Sequence, residues 1–137
     1  MNYSIYLNTK KLNPNDAAAI AEYSKRLSAY CNIKLICKPM KALEPFLMKQ
    51  AFSDHTCCYQ VLAGTDTLAS EAFAANLEQL GIHGTSAVTF FIGYPVCTSL
   101  SPVYLSSMEL STGLSGVVLY EQLYRSYRIL NHQPYHK

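Results

Sequence analysis

Side chains that can take part in acid–base chemistry are concentrated at the end of this chain, in a short tail after an amphipathic segment. The tail contains His132, Tyr135, His136 and Lys137. Histidine and tyrosine side chains can stack on a nucleobase or donate a hydrogen bond to a phosphate, and a histidine can also accept a proton. A frayed polar terminus is the ordinary interpretation of such a tail. The tail is therefore a candidate site that needs support from the rest of the chain.

The spacing of two histidines in the tail also suits half of a zinc site. His132 and His136 are separated by three residues, as in many histidine pairs that bind zinc. A complete site would also need a Cys-x2-Cys pair or a carboxylate cluster, and the sequence has neither. We therefore predict no metal site.

Two arginines lie just before the tail, and they allow two interpretations. Arg125 and Arg128 are three residues apart, and Glu121 is four residues before Arg125. On a helix, residues four apart can form an ion pair at the surface or in an interface. The other interpretation is that both arginines, together with Lys137, contact RNA phosphates.

The segment that carries these arginines also has an apolar stripe at helical spacing. The stripe consists of Tyr120, Leu123, Tyr124, Tyr127 and Leu130. Aromatic residues on one face of a helix most often lie in a core or in a dimer face, and stacking on RNA is a less common use. We therefore expect this helix to contribute to the core or to a subunit contact.

Composition limits the class of protein. The chain has 137 residues, of which 50% are hydrophobic and 15% charged, with a formal net charge of +2. Such a chain can fold as one domain, 1–137, and its apolar runs are much shorter than the roughly 18 residues of a membrane span. A nucleic-acid partner would depend on local basic clusters, because the net charge is small.

Cysteine usage and the N-terminus point to the cytoplasm. The number of cysteines is odd, which makes a complete disulfide framework impossible, and we interpret them as small buried hydrophobic residues: Cys31, Cys37, Cys57, Cys58 and Cys97. The first seven residues lack the basic stretch and apolar core of a secretion signal. We therefore predict a cytoplasmic protein without a membrane segment.

The hydrophobic pattern alternates between strands and helices. It predicts strands over 3–7, 33–37, 57–63, 87–92 and 107–110, and helices from Asn13-Pro14, over 41–53, from Thr67 or Ser70 to Leu80, and over 117–130. Gly81 is expected to end the third of these helices, and Ser101-Pro102 to start one helical turn. The run Ala87–Ile92 has no polar alternation, as in a central parallel strand. Together these elements predict a single α/β domain with a Rossmann-like, mainly parallel sheet.

Three stretches of the chain carry a resemblance to a known family. They are the final helix with the tail Asn131-His132-Gln133-Pro134-Tyr135-His136-Lys137, the helix Ala19–Leu27, and the strand end Phe90-Phe91-Ile92-Gly93. These stretches resemble the SPOUT-class large-subunit rRNA methyltransferase H family, which modifies a pseudouridine. The resemblance implies a C-terminal trefoil knot, a homodimer through the last helix, S-adenosylmethionine as cofactor and ribosomal RNA as substrate.

The resemblance also implies which residues form the site. Cofactor-binding loops would lie at the carboxyl ends of strands, with these members: Val61, Leu62, Gly64, Gly93, Leu105, Ser106, Ser107, Met108, Glu109 and Leu110. His136 would be the base that frees the N3 nitrogen of its proton, and Tyr135 would position it. The RNA contacts would be Arg125, Arg128, His132 and Lys137.

The chain departs from the family pattern around the middle loop. The family has Ile-Gly-Gly-x-x-Gly there, whereas this chain has Ile92-Gly93-Tyr94-Pro95-Val96-Cys97. Tyr94 adds a bulky side chain where the backbone approaches a ligand, and Pro95 lacks a donor. The segment from Gly93 to Met108 is also shorter than in the family, which predicts a shortened knot.

A second departure lies before the last helix. In place of Pro-His and a later arginine, the chain has Ser111, Thr112 and Gly116. These departures predict that Tyr94 crowds the pocket and that S-adenosylmethionine binds weakly or is lost. We therefore predict an S-adenosylmethionine-dependent rRNA methyltransferase, with a non-catalytic homodimer of the same fold that binds RNA or protein as the alternative.

Overall fold

Five parallel strands form the centre of the fold in the computed structural model, which describes residues 1–135. The strands are β1 (Asn2–Leu7), β2 (Asn32–Cys37), β3 (Thr56–Ala63), β4 (Ala87–Ile92) and β5 (Ser101–Ser106). Their order across the sheet is β2-β1-β4-β3-β5, and every neighbouring pair is parallel. The predicted α/β class with a mainly parallel sheet is confirmed.

Four helices complete the fold: α1 (Pro14–Leu27), α2 (Glu44–Lys49), α3 (Ser70–Ile82) and α4 (Thr112–Leu130). Helix α4 packs between α1 and α3 on one face of the sheet. Helix α2 covers the opposite face, where Phe46 and Leu43 pack with Phe91 of β4. Among residues 1–135, no helix combines the length and the hydropathy needed to cross a membrane.

The start of α1 follows the local signals in the sequence. Asn13 has an extended backbone, its side chain accepts a hydrogen bond from the Asp16 N–H at 2.8 Å, and Pro14 is the first helical residue. A proline at that position loses no helical hydrogen bond, since the first N–H groups of a helix have no partner within it. The predicted cap is confirmed.

Strand β4 is central because it is apolar on both sides. From Val88 to Ile92 every residue is buried. Val88, Phe90 and Ile92 belong to the larger core under α1, α3 and α4, whereas Phe91 belongs to the smaller core under α2. Successive side chains of a strand point to opposite faces, so a sheet covered on both faces needs such a strand at its centre.

Several predicted elements are corrected. Ser101-Pro102 starts β5 instead of a helical turn, and 107–110 is a loop instead of a strand. Since β5 is an edge strand, Pro102 does not interrupt a central ladder.

The predicted helix limits also need correction. The helix predicted over 41–53 is confined to Glu44–Lys49, and Gly81 lies inside α3. Helix α4 begins at Thr112, five residues before the predicted start at Val117, because Ser111 caps it by accepting the Leu114 N–H at 3.2 Å.

Candidate functional site

A cavity of about 220 Å³ opens where β3, β4 and β5 end and α4 begins. The carboxyl ends of parallel strands are where ligands bind in open α/β sheets. The cavity is lined by Val61, Leu62, Ala63, Ile92, Gly93, Tyr94, Leu105, Ser106, Met108, Glu109, Leu110, Thr112 and Ser115. Three separate loops thus meet around one space.

Most residues of the three predicted loops line this cavity. They are Val61, Leu62, Gly93, Leu105, Ser106, Met108, Glu109 and Leu110. Gly64 and Ser107 are next to the lining residues but are not among them. The structure adds Thr112 and Ser115, which the sequence analysis missed because it started the last helix at Val117; the Ser111 cap was the available signal.

Gly93 allows the chain to turn out of β4 beside the cavity. Its φ is +87°, which side chains other than glycine rarely tolerate. A Cβ on Gly93 would also collide with the side chain of Thr112. The first turn of α4 therefore packs directly against this glycine.

The Tyr94 side chain does not crowd the cavity in the way the sequence predicted. Its ring packs edge-on against Phe91, with 6.1 Å between centroids, and its hydroxyl donates to the Lys38 carbonyl at 2.6 Å. Only 5% of Tyr94 is exposed, and burial raises the pKa of its hydroxyl to about 12. The prediction of crowding is wrong because the ring is anchored in the smaller core.

Polar groups on the cavity wall come from the β5–α4 loop and the first turns of α4. The polar lining residues there are Ser106, Glu109, Thr112 and Ser115. The Ser106 hydroxyl also accepts the Met108 N–H at 3.0 Å, which shapes the loop. These groups give the wall an acidic side chain next to the N-terminal end of a helix, where anions are stabilised.

Position 116 cannot supply the arginine that the family pattern has near this point. Gly116 is buried, and a Cβ there would lie 3.4 Å from Ile20 and 3.5 Å from Leu7, which is ordinary van der Waals contact. A longer side chain would meet these apolar neighbours. An arginine there would have its charge among buried apolar groups, which is costly without a partner.

Tyr135 lies away from the cavity of its own chain. Its hydroxyl donates to Glu121 Oε1 at 3.1 Å, and its ring packs edge-on against Tyr124 at 5.0 Å. Glu121 is six residues after Ser115, or roughly 9 Å along a helix. Within one protomer Tyr135 therefore lies apart from the cofactor loops, and its place beside the loops of a second copy stays a prediction.

The environment of Tyr135 keeps its hydroxyl protonated. Burial, a hydrogen bond with Tyr23 and the negative charge of Glu121 raise the pKa of Tyr135. The guanidinium of Arg125 also lies over the Tyr135 ring, 5.1 Å from its centroid. Tyr135 is thus a hydrogen-bond donor and not a base.

Both arginines of the last helix have partners within the chain. Arg125 Nη2 lies 2.6 Å from Glu121 Oε1, as the ion-pair interpretation expects. Arg128 donates to the Tyr30 hydroxyl at 3.2 Å, to Gln133 Oε1 at 3.1 Å and to the Pro134 carbonyl at 3.0 Å. Arg128 thus holds the turn that leads into the tail.

The other predicted tail residues are only partly described. His132 is exposed and has a φ of +55°, so it forms the turn between α4 and Gln133. His136 and Lys137 lie outside the described residues. Within residues 1–135, no group of three or more histidine, cysteine or acidic side chains is arranged to hold a metal ion.

The apolar stripe of α4 is largely used inside the protomer. Tyr120 is 1% exposed and Leu123 is fully buried, both in the larger core. Tyr124 and Tyr127 are half-buried, and Tyr127 stacks on Tyr30 with 5.3 Å between centroids. The prediction that Tyr120 and Leu123 contact a second subunit is therefore wrong.

The cysteines are free, and they are buried to different extents. Cys97 is buried, and Cys31, Cys57 and Cys58 are half-buried, but Cys37 is exposed. Burial raises the pKa of Cys31 to about 11, so its thiol is protonated at neutral pH. The prediction of buried hydrophobic cysteines is wrong for Cys37, which ends β2 near the surface.

A second cavity, of about 240 Å³, lies near the amino ends of the strands, among Met1, Tyr3, Tyr30 and Tyr127. Its volume is similar to that of the first cavity. Location distinguishes the two, because the carboxyl ends of three strands and the start of α4 meet at the first cavity and not at the second. We therefore take the first cavity as the candidate site.

Comparison with known proteins agrees with this architecture. A family described as predicted SPOUT methyltransferases matches residues 1–136. The chain belongs to the SPOUT methyltransferase family. Proteins of this family use S-adenosylmethionine, and the cavity at the ends of β3, β4 and β5 lies where the sequence resemblance places that cofactor.

Individual relatives are similar over most or all of their length. Ribosomal RNA large subunit methyltransferase H 1 of Thermoanaerobacter sp. (strain X514) is 33% identical over 137 residues, covering 100% of both chains. Ribosomal RNA large subunit methyltransferase H of Shouchella clausii is 35% identical, covering 86% of this chain and 88% of the relative. The protein of the same name from Enterococcus faecalis is 32% identical, with coverage of 86% and 88%.

Proposed function

We propose that this SPOUT methyltransferase transfers a methyl group from S-adenosylmethionine to large-subunit ribosomal RNA, at N3 of a pseudouridine. The observation that carries the proposal is the cavity formed by three loops at the carboxyl ends of β3, β4 and β5. The names of the relatives support ribosomal RNA as the substrate.

The residues around the cavity suit the groups of S-adenosylmethionine. The cofactor supplies an activated methyl group on a sulfonium. Glu109 offers a negative charge that suits its cationic groups, and the N-terminal end of α4 at Thr112 suits its carboxylate. The volume of about 220 Å³ is below the ~300–1,000 Å³ of typical ligand sites, which supports weak binding.

The tail supplies the acid–base chemistry in this proposal. His136 accepts the N3 proton of the pseudouridine, and Tyr135, which is held against α4 by Glu121 and Tyr124, positions His136. His132, Arg125, Arg128 and Lys137 contact the RNA. Because Tyr135 is held beside Glu121 in its own chain, we propose that the tail reaches the cavity of a second copy.

A homodimer and a knot complete the proposal. Met108 is 74% exposed and Leu114 is 43% exposed, and both lie next to the cavity, where a second copy would cover them. We base the trefoil knot on the family to which the chain belongs. After β5 at the edge of the sheet, the chain passes to the end of β4, where Thr112 lies beside Gly93.

The non-catalytic alternative is less well supported. Its basis is the set of departures between Gly93 and Gly116, and in one of them, Tyr94, the ring is turned into the smaller core. The cavity remains open to solvent between the three loops. An open cavity in a SPOUT methyltransferase favours the enzyme.

Methyl transfer to ribosomes tests the proposal. Bacterial large subunits lacking the modification are incubated with the protein and methyl-labelled S-adenosylmethionine, and nucleosides are separated by mass spectrometry. We expect the label in a methylated pseudouridine, and we expect Glu109→Gln to lower the rate at least tenfold. Glu78→Gln, near the second cavity, is the matched control and should leave the rate unchanged.

The absence of labelled pseudouridine from reactions with folded protein, on whole ribosomes as well as on large subunits, would overturn the proposal. Label in another nucleotide would overturn the pseudouridine assignment and leave the methyltransferase activity in place.

A further inference from the structure

Gln60 is a fully buried polar residue. The hydrogen bonds described for its side chain all go to the loop that follows β4. Gln60 lies on β3 and is 1% exposed. Its Nε2 donates to the carbonyls of Tyr94 at 3.1 Å and Pro95 at 3.0 Å, and its Oε1 accepts the Cys97 N–H at 2.8 Å. A buried amide with three bonds to one segment fixes that segment, because each bond lost inside a protein leaves an unsatisfied group.

Asn8 holds the beginning of the same loop from the other side of β4. Its Nδ2 donates to the Gly93 carbonyl at 3.0 Å, and its Oδ1 accepts the Met40 N–H at 3.0 Å. Asn8 directly follows β1, which is the neighbour of β4 opposite to β3. The carbonyl of Gly93 is therefore directed toward the β1 side.

The direction of the Gly93 carbonyl determines where the next amide points. The described peptide bonds are all trans, and in a trans peptide the carbonyl and the following N–H point in opposite directions. With the Gly93 carbonyl on the β1 side, the Tyr94 N–H points toward β3. The cavity lies on that side, lined by Val61, Leu62 and Ala63.

We propose that Asn8 and Gln60 are positioning residues of the S-adenosylmethionine site, which hold the backbone from Gly93 to Cys97 so that the Tyr94 N–H is presented to the ligand. This inference rests on the proposed function. It explains how a loop with one glycine keeps an ordered backbone beside the cavity. The side chain after β1 and the side chain on β3 fix the backbone at a point where the family has glycines.

Calorimetric titration with S-adenosylmethionine tests this inference. Asn8→Asp keeps the acceptor for Met40 but loses the donor to Gly93, and Gln60→Glu loses the donor to Tyr94 and Pro95. We expect each variant to weaken binding about tenfold, equivalent to about 1.4 kcal/mol. The matched control is Asn32→Asp, which loses the hydrogen bond from the side-chain Nδ2 of Asn32 to Asn2 Oδ1 at the opposite end of the sheet. This variant should bind S-adenosylmethionine as the native chain does.

Hydrogen exchange separates positioning from a general loss of stability. We expect faster exchange in 93–98 of both variants, and rates like those of the native protein in β1, β4 and α4. Asn8→Gln is a conservative variant that retains the side-chain amide. It should bind S-adenosylmethionine more tightly than Asn8→Asp does.

Each outcome decides a different point. If the native chain binds and Asn8→Asp and Gln60→Glu bind equally well, the inference is overturned and the proposed function stands. If Asn32→Asp weakens binding as much as they do, the positioning role is also overturned. If the native chain does not bind S-adenosylmethionine, the proposed function fails first, and the positioning role at a cofactor site fails with it.

Discussion

Gly93 has a backbone conformation that few other residues share, and the shape of the cavity depends on it. At a φ of +87°, an added Cβ is strained in itself, and it would also collide with Thr112. We expect Gly93→Ala to lower the free energy of unfolding by about 1–3 kcal/mol. Urea denaturation at neutral pH measures this.

Gly81 is a suitable comparison for Gly93, because it lies inside α3 and a Cβ there would meet open space. Alanine is preferred over glycine in a helix by about 0.5–1 kcal/mol. Gly81→Ala should therefore leave stability unchanged or raise it by up to about 1 kcal/mol. Equal losses in both variants would contradict the special role given to Gly93.

For individual residues, the sequence predicted which of them lie around the cavity better than where their side chains point. Gly93, Ser106 and Glu109 were expected in the loops that surround the cavity, and they line it. Gln60 was missed because its three bonds join β3 to a loop more than thirty residues away, which no local pattern reveals. The Tyr94 ring was placed wrongly for the same reason, since its hydroxyl is anchored by the Lys38 carbonyl, 56 residues earlier in the sequence.

Among the elements, the tail makes the most specific prediction. Tyr135 contacts α4 through Tyr124, Glu121 and Arg125 and contacts α1 through Tyr23, and it does not enter either core. We expect removal of 135–137 to leave the chain folded, with a loss of about 1 kcal/mol, and to abolish methyl transfer. Circular dichroism and the methyl-transfer assay measure the two effects.

Tyr135→Phe is the control for that truncation. It keeps the ring against Tyr124 and Arg125 and removes only the hydroxyl that donates to Glu121. Stability should change by less than about 1.5 kcal/mol. An unfolded truncated chain would mean that the tail is a structural element and would remove the basis for its catalytic role.

The elements that were predicted well have strong local signals, and those that were missed do not. Strand β4 is a continuous apolar run, and α1 starts at an Asn-Pro cap, so both were recognised. Strand β5 begins with Ser101-Pro102, which is also a helix-start pattern. Its identity depends on pairing with β3 at the sheet edge, where a proline is tolerated, and that pairing is a tertiary property.

For the whole molecule, buried tyrosine hydroxyls and cysteine thiols predict that folding stability decreases at alkaline pH. Burial raises the pKa of Cys31 from 9.0 to about 11, and the pKa of Tyr94 and of Tyr127 from 10.0 to about 12. The unfolded chain therefore loses these protons at lower pH than the folded chain does. Their contribution to stability is complete below about pH 9 and is lost as pH rises toward 12.

Denaturation with urea between pH 7 and 12 measures this dependence. We expect the contribution of these groups to the free energy of unfolding to be constant up to about pH 9 and to fall steadily above it. Cys31→Ala should make the fall between pH 9 and 11 less steep. A profile that is unaffected by Cys31→Ala would contradict the assigned cause.

The central claim is that S-adenosylmethionine binds where β3, β4 and β5 end. Hydrogen exchange with and without saturating cofactor tests this claim most directly, because bound ligand slows exchange where it contacts the backbone. We predict protection at 61–64, 92–94 and 105–112. Absence of protection, or protection confined to the second cavity around Met1, Tyr30 and Tyr127, would contradict it.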